Sequence, residues 1–319
     1  MSGDLEFVDG HADTLARYWE AGKSLDQPHP QADLDLQRAL AVGLRAQFFA
    51  LAPVCRGVYR EPFSRWALQV LDLLHSAAER PEVPLLLATS AQDIETARHQ
   101  GALAAFLALE GADFLEGELA LLRAYYRLGV RLLVLAHFRR NAAADPTTEP
   151  GTRSRLTRFG EQLVFELARL GIICDCAHVA EGCVDHVFEL SPNPVVFSHA
   201  NCRALCDHPR NVSDRHLKQL GATGGLIGLS FVPFFVDAQR PTLERWLDHL
   251  DHAVQVAGIE SVAIGSDFDG MGEDHIPGLE DVGCLPRLAE EILRRGYSSE
   301  DLRKIASENW IRLIRQVIG

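Results

Sequence analysis

Eight short apolar runs, most of them separated by an amphipathic helical pattern, restrict the fold of this chain more than any other feature. They cover residues 7–8, 44–51, 104–109, 130–136, 171–176, 194–197, 224–231 and 261–264. Near-continuous apolar character over the length of a strand implies burial on both faces, as in a parallel sheet whose crossovers are helices. Helical periodicity falls between the runs, over 63–79, 118–128, 158–170, 217–220 and 243–256. Gly43, Gly129, Gly171 and Gly258 each stand where such a pattern ends, next to the following run. A left-handed C-cap there closes a helix without a Cβ clash. Helix, glycine and strand, repeated around the chain, predict a (β/α)8 TIM-type barrel in one domain spanning 1–319, with extra C-terminal helices from about residue 285. An open doubly wound sheet is the alternative, weakened because no GxGxxG follows the first run. The tail reads as two helices, 285–296 and 299–318, the second starting at Ser299 ahead of the acidic Glu300 and Asp301. The first is expected to close the barrel after its eighth strand and the second to pack on the outside.

In such a barrel the chemistry sits at the C-terminal ends of the strands. The first run leads into Asp9, His11 and Asp13, and the third ends in Glu110. The fourth ends in His137, the fifth in Asp175 and His178, the sixth in His199, and the eighth in Asp267 and Asp269. The second and seventh runs end in apolar residues and offer no such group. A His and an Asp two positions apart on a strand point to the same side, so His11 and Asp13 can reach one divalent cation. Gathering several buried carboxylates and imidazoles is costly unless cations accompany them. Donors drawn from His and carboxylate, without Cys, favour zinc, with manganese or iron as alternatives. Three His and two or three carboxylates exceed what one catalytic metal takes from protein. Two metals sharing a bridging carboxylate fit that count better.

Composition excludes several other classes. A net charge of −13 argues against nucleic acid, because phosphate binding needs a basic surface. No run approaches the roughly 18–20 apolar residues that span a bilayer. The first residues show no basic segment followed by an apolar one, and no lipidation motif stands at the C-terminus. A cytoplasmic location is therefore expected. Seven cysteines at irregular spacing do not suggest a disulfide framework. Cys174, Cys176, Cys202 and Cys206 are expected to pack as buried thiols rather than to form a thiolate metal site.

Taken in order, these segments carry a recognisable pattern: Asp9-Gly-His-Ala-Asp13, Leu109-Glu110-Gly111, Leu135-Ala-His137 with Asn141, and Cys176-Ala-His178-Val. Phe197-Ser-His199, Arg210-Asn-Val-Ser-Asp214, Gly265-Ser-Asp-Phe-Asp-Gly270, Gly278-Leu-Glu-Asp-Val282 and Glu308-Asn-Trp310 continue it. The chain resembles the membrane (renal) dipeptidase family of zinc peptidases, within the amidohydrolase-like barrels, over residues 7 to 310. The resemblance implies that His11 and Asp13 hold one zinc, His178 and His199 a second, and that Glu110 bridges the two. It implies a hydroxide between the metals as nucleophile, His137 as donor to the carbonyl oxygen, and Asp267 as the group that carries the proton to the leaving amine. Arg210 would grip the free C-terminal carboxylate of a dipeptide, and a D-residue would be tolerated there. A homodimer is the assembly the family suggests.

Asp9 is expected to be a hydrogen-bond partner of the centre rather than a ligand, and Asp269 to have a structural role. The familiar mammalian members are secreted, lipid-anchored and disulfide-bonded, so this chain reads as a soluble, bacterial-type relative. It carries Ala12 where many relatives have Asn, and Ala112 in place of a second Gly after Glu110. The 231–235 segment has no tyrosine, which implies a side-chain pocket more apolar or differently shaped. Rival readings are another amidohydrolase-type reaction, on N-acyl amino acids or lactams, and a metal- and peptide-binding protein without turnover.

Overall fold

The computed structural model describes residues 5–52, 54–55, 58–59, 62–149 and 154–319. The first four residues, part of the N-terminal segment in which no leader was read, lie outside that range. Among the described residues eleven strands form: β1 (Phe7–Ala12), β2 (Leu44–Leu51), β3 (Val54–Cys55), β4 (Val58–Tyr59), β5 (Leu85–Leu87) and β6 (Leu103–Glu110). They continue with β7 (Val130–Val134), β8 (Ile173–Asp175), β9 (Val196–Ala200), β10 (Leu226–Leu229) and β11 (Val262–Ile264). Eight of them pair in parallel in the order β1-β2-β6-β7-β8-β9-β10-β11, and β11 returns to β1 through Asp9 and Ile264. The sheet is therefore a closed (β/α)8 barrel, and the eight apolar runs supply its eight staves. The short β5, not anticipated, lies parallel to the start of β6, and β3 and β4 make a separate antiparallel hairpin.

The helix over Arg158–Leu170 has the anticipated bounds, and Gly171 ends it at φ 70°. All four helix-ending glycines named above adopt positive φ. Gly265 has a different reason to lack a side chain. A Cβ there would lie 1.8 Å from the Ser198 carbonyl oxygen, so only glycine lets β11 approach so closely.

The apolar core is two-layered. One layer lies between the strands and the outer helices. The other fills the barrel and joins Val8, Phe48, Phe106, Leu132 and Val196 to Trp310, Leu313, Ile314 and Val317. The last four belong to the final helix, Asn309–Val317, which corrects the expectation that this helix packs on the outside. It plugs the end of the barrel where the strands begin. Arg312 donates to the carbonyls of Gly224 and Glu260, which both precede strands, and Trp310 donates its indole N–H to Ile264 O at 2.9 Å. The ring of Trp310 lies 5.2 Å from that of Phe48. An amphipathic helix covers whichever apolar surface is open, and here that surface is the floor of the barrel.

The tail helix begins at Ser299, as expected, but its cap is the residue before it. Ser298 is its cap: its hydroxyl accepts from Asp301 N–H at 3.1 Å, and the Asp301 carboxylate accepts from Ser298 N–H at 3.0 Å. This is a reciprocal capping box, for which Ser299 lacks an acidic residue three positions on. A π-helical turn, Lys304–Glu308, joins its two α-helical parts. Among the described residues no helix is long and apolar enough to cross a membrane.

Candidate active site

At the C-terminal mouth, six of the eight barrel strands deliver a His or a carboxylate. His11, inside β1, is fully buried, and Asp13 follows it as the residue before the helix Thr14–Ala21. The Asp13 side chain makes no capping bond, so its carboxylate is free to face the centre. Glu110 is the last residue of β6 and His199 lies within β9. His137, His178 and Asp267 sit on the turns that follow β7, β8 and β11.

These side chains converge. Glu110 Oε1 lies 3.0 Å from His178 Nε2, 3.3 Å from His199 Nε2 and 3.6 Å from His11 Nε2. Its other oxygen lies 3.5 Å from His137 Nε2. His178 Nε2 and His199 Nε2 face each other at 3.0 Å. Ser198 Oγ lies 2.8 Å from His199 Nδ1, which leaves Nε2 to the centre. Three overlapping groups have ligand atoms within 4.8 Å of one another: His11, Asp13 and Glu110; Glu110, His178 and His199; and His11, His199 and Asp267.

The electrostatics are those of a site short of positive charge. Burial, reinforced by Arg210, pushes the four histidines well below their ordinary range, His11 to about 3, so the imidazoles are neutral. Burial and mutual repulsion hold Asp13 and Glu110 well above the carboxylate range. Burial raises Asp267 to about 7, against the pull of Arg210. His11 Nε2 and Asp13 Oδ1 are buried without a hydrogen-bond partner. Neutral imidazoles and clustered carboxylates with orphaned lone pairs are a donor set that divalent cations satisfy. The residues therefore fit a metal centre, with Glu110 placed to touch both halves. Among the described residues no such group includes a cysteine. Cys174, Cys176, Cys202 and Cys206 are buried free thiols, as expected.

Beside the centre lies a cavity of about 660 Å³, lined by Asp13, Glu110, His137, His178, Arg210 and Asp267 among others. Arg210 is only 6% exposed, so it is not a solvated surface arginine. One of its amino groups donates to His199 O at 3.2 Å, while Nε and Nη1 have no partner. Burial lowers its pKa to about 10, which leaves it charged at neutral pH.

The supporting residues differ from expectation in detail. Asp9 does not bond to His11; its carboxylate accepts from Ser266 N–H and Oγ–H, both at 2.7 Å, and anchors the turn that carries Asp267. Asp269 is structural, accepting from Thr14 Oγ at 2.6 Å and Asp33 N–H at 2.8 Å, although it also lines the mouth. Asn141 organises its own loop, accepting from Ala143 N–H and donating to Leu135 O and Asp113. The seventh strand ends in no ionisable group, yet the 231–235 segment after it shapes the pocket, as its lack of tyrosine implied: Val232, Phe234 and Phe235, just after β10, form an apolar wall of the cavity. Phe138 and Thr147 also line it, and a search for ionisable groups passes over both.

Residues 2–318 match the family model described as membrane dipeptidase, peptidase family M19. The dipeptidase verJ of Clonostachys rogersoniana is 35% identical over 332 residues, taking in 99% of this chain and 85% of that protein. Human dipeptidase 3 is 34% identical over 328 residues, covering 97% of this chain and 64% of that protein. A metallopeptidase from Rhodobacter sphaeroides, solved with a phosphinate mimic of the dipeptide L-Ala-D-Ala, is 27% identical and superposes with a TM-score of 0.91 over 98% of this chain and 99% of that one.

Proposed function

The chain belongs to the membrane dipeptidase family, and on that premise we propose that it is a binuclear zinc dipeptidase that hydrolyses dipeptides with a free C-terminal carboxylate, L-Xaa-D-Xaa among them. One observation carries the reading: the unpartnered Nε and Nη1 belong to a buried arginine that shares a cavity with Asp13, Glu110 and His178, three of the converging metal donors. His11 and Asp13 would hold one zinc, His178 and His199 the other, with Glu110 between them. Bound there, the pair supplies Lewis acidity, polarising a carbonyl and making water acidic enough to ionise near neutral pH.

The chain's own groups do the rest. Arg210 receives the substrate carboxylate through its two free N–H donors, a planar fork suited to bidentate pairing. His137, neutral and beside Glu110, donates an N–H to the amide oxygen as that oxygen gains charge. Asp267, which faces the same centre 3.9 Å from His11 Nε2, takes a proton from the attacking water and returns it to the departing amine. The phosphinate dipeptide mimic bound by the Rhodobacter sphaeroides relative supports a D-residue at the C-terminal position.

The test is hydrolysis of a panel of L,L- and L,D-dipeptides and N-acyl amino acids by zinc-loaded protein, before and after chelation. Chelator-sensitive cleavage of dipeptides, restored by zinc, is the expected result. Cleavage of acyl amino acids alone, or of nothing, would overturn the reading.

A further inference from the structure

Among the described residues only five large apolar side chains are conspicuously exposed, and two of them, Phe138 at 46% and Phe234 at 50%, line the cavity beside the metal donors. Exposed aromatic surface of this size inside a concave site marks a place where an apolar group is bound. The two rings are not equivalent. Phe138 stands over the metal side, its ring centre 4.1 Å from His137 and 5.3 Å from His178. Phe234 stands on the arginine side. Its ring centre is 4.7 Å from that of Phe235, and the Arg210 guanidinium lies over the Phe235 face at 5.0 Å. His208 packs on both phenylalanines and accepts the Arg210 backbone N–H, so wall and arginine form one unit.

In a dipeptide, the free carboxylate and the C-terminal side chain leave the same Cα, each by one carbon–carbon bond of about 1.5 Å. A carboxylate held by Nε and Nη1 of Arg210 therefore brings that side chain to the aromatic wall. Asp13, Arg17 and Asp269, which also line the cavity, are charged and offer no apolar surface. We propose that Phe234, backed by Phe235, is the specificity-determining residue for the C-terminal side chain, and that the enzyme selects dipeptides ending in a large apolar or aromatic residue. The proposal rests on the dipeptidase reading and on Arg210 as the carboxylate site.

The experiment compares kcat/KM of zinc-restored protein on Ala-Gly, Ala-Leu, Ala-Phe, Ala-Asp and Ala-Lys, each chiral C-terminal residue in both configurations. Wild type is expected to favour Ala-Phe over Ala-Asp by about tenfold or more. Phe234→Ala lowers the Ala-Phe to Ala-Gly ratio about tenfold, chiefly through KM. Phe234→Lys moves the preference toward Ala-Asp, a gain that a misfolded protein cannot produce. Ratios unchanged within about twofold in both variants would overturn the proposal, and so would loss of the preference in Phe138→Ala but not in Phe234→Ala. Wild type that cleaves every dipeptide equally removes the selection alone. Wild type that cleaves none removes the dipeptidase reading as well.

Discussion

Asp267 and His178 both occupy left-handed backbone, at φ 68° and 65°, where a side chain costs roughly 1–3 kcal/mol. The surroundings hold them there: Asp267 donates its N–H to His11 O at 3.2 Å, and His178 O accepts from Thr147 N–H at 2.7 Å. Asp267→Asn keeps the shape but cannot take up a proton, so kcat should fall by roughly 10²–10⁴ with metal content preserved. Normal turnover with full metal occupancy would exclude Asp267 from proton transfer. Arg210→Lys replaces the fork by a point charge, and KM should rise by at least about tenfold with a smaller change in kcat. An unchanged KM would place the substrate carboxylate elsewhere.

His249 gives a residue-scale prediction away from the site. It is fully buried; Nδ1 accepts from Cys202 N–H at 3.0 Å, and Nε2–H donates to Val236 O at 2.9 Å. Burial lowers its pKa from 6.5 to about 4. The unfolded chain then binds the extra proton first, so stability falls as pH drops from about 6.5 toward 4, by on the order of 3 kcal/mol. Urea midpoints of chelated protein at pH 7 and 4.5 test this. His249→Asn should be less stable at pH 7 yet lose less on acidification, and an equal loss would refute the assignment.

The final helix is the element whose role was least legible. Its 3.6-residue apolar period shows that it is a helix with one buried face, but the floor it covers is assembled from all eight strands and has no local sequence signature. Trp310 is buried within that floor, and Trp310→Ala should cost about 3–5 kcal/mol in a denaturant titration. A loss under about 1 kcal/mol would mean that the helix does not seal the barrel. At the start of the same tail, Ser298→Ala should cost about 1 kcal/mol and Ser299→Ala much less. The two serines are adjacent in sequence, and only the spacing to Asp301 tells them apart.

Across the whole molecule, closure of the barrel brings together groups far apart in the chain. Asp9 meets Ser266, 257 positions on, and Thr14 meets Asp269, 255 positions on. The same closure crowds Asp13, Glu110 and Asp267, each raised by burial, so the chelated protein retains protons that the metal-loaded form gives up. Titrating zinc into chelated protein near pH 6 should raise Tm and release protons, read by calorimetry in two buffers of different ionisation heat, with about two equivalents bound. Saturation at one equivalent would argue against a binuclear centre.

By itself the sequence determined the local periods, the glycine-ended helices and the chemical character of each strand end. Those sufficed for the barrel and for a set of candidate metal donors, because both patterns repeat within each βα unit, and the ordered motifs sufficed for the family. Features that depend on several units at once emerge only in the folded barrel. Asp9 serves Ser266 rather than His11, Arg210 is buried with two free donors, and the final helix lies on the barrel floor. The phenylalanines after β10 stand on the arginine side of the cavity. The physical reason is common to all four. A side chain's partners are set by which strands the closed sheet places side by side, and that adjacency joins residues too distant in sequence for any local pattern to specify.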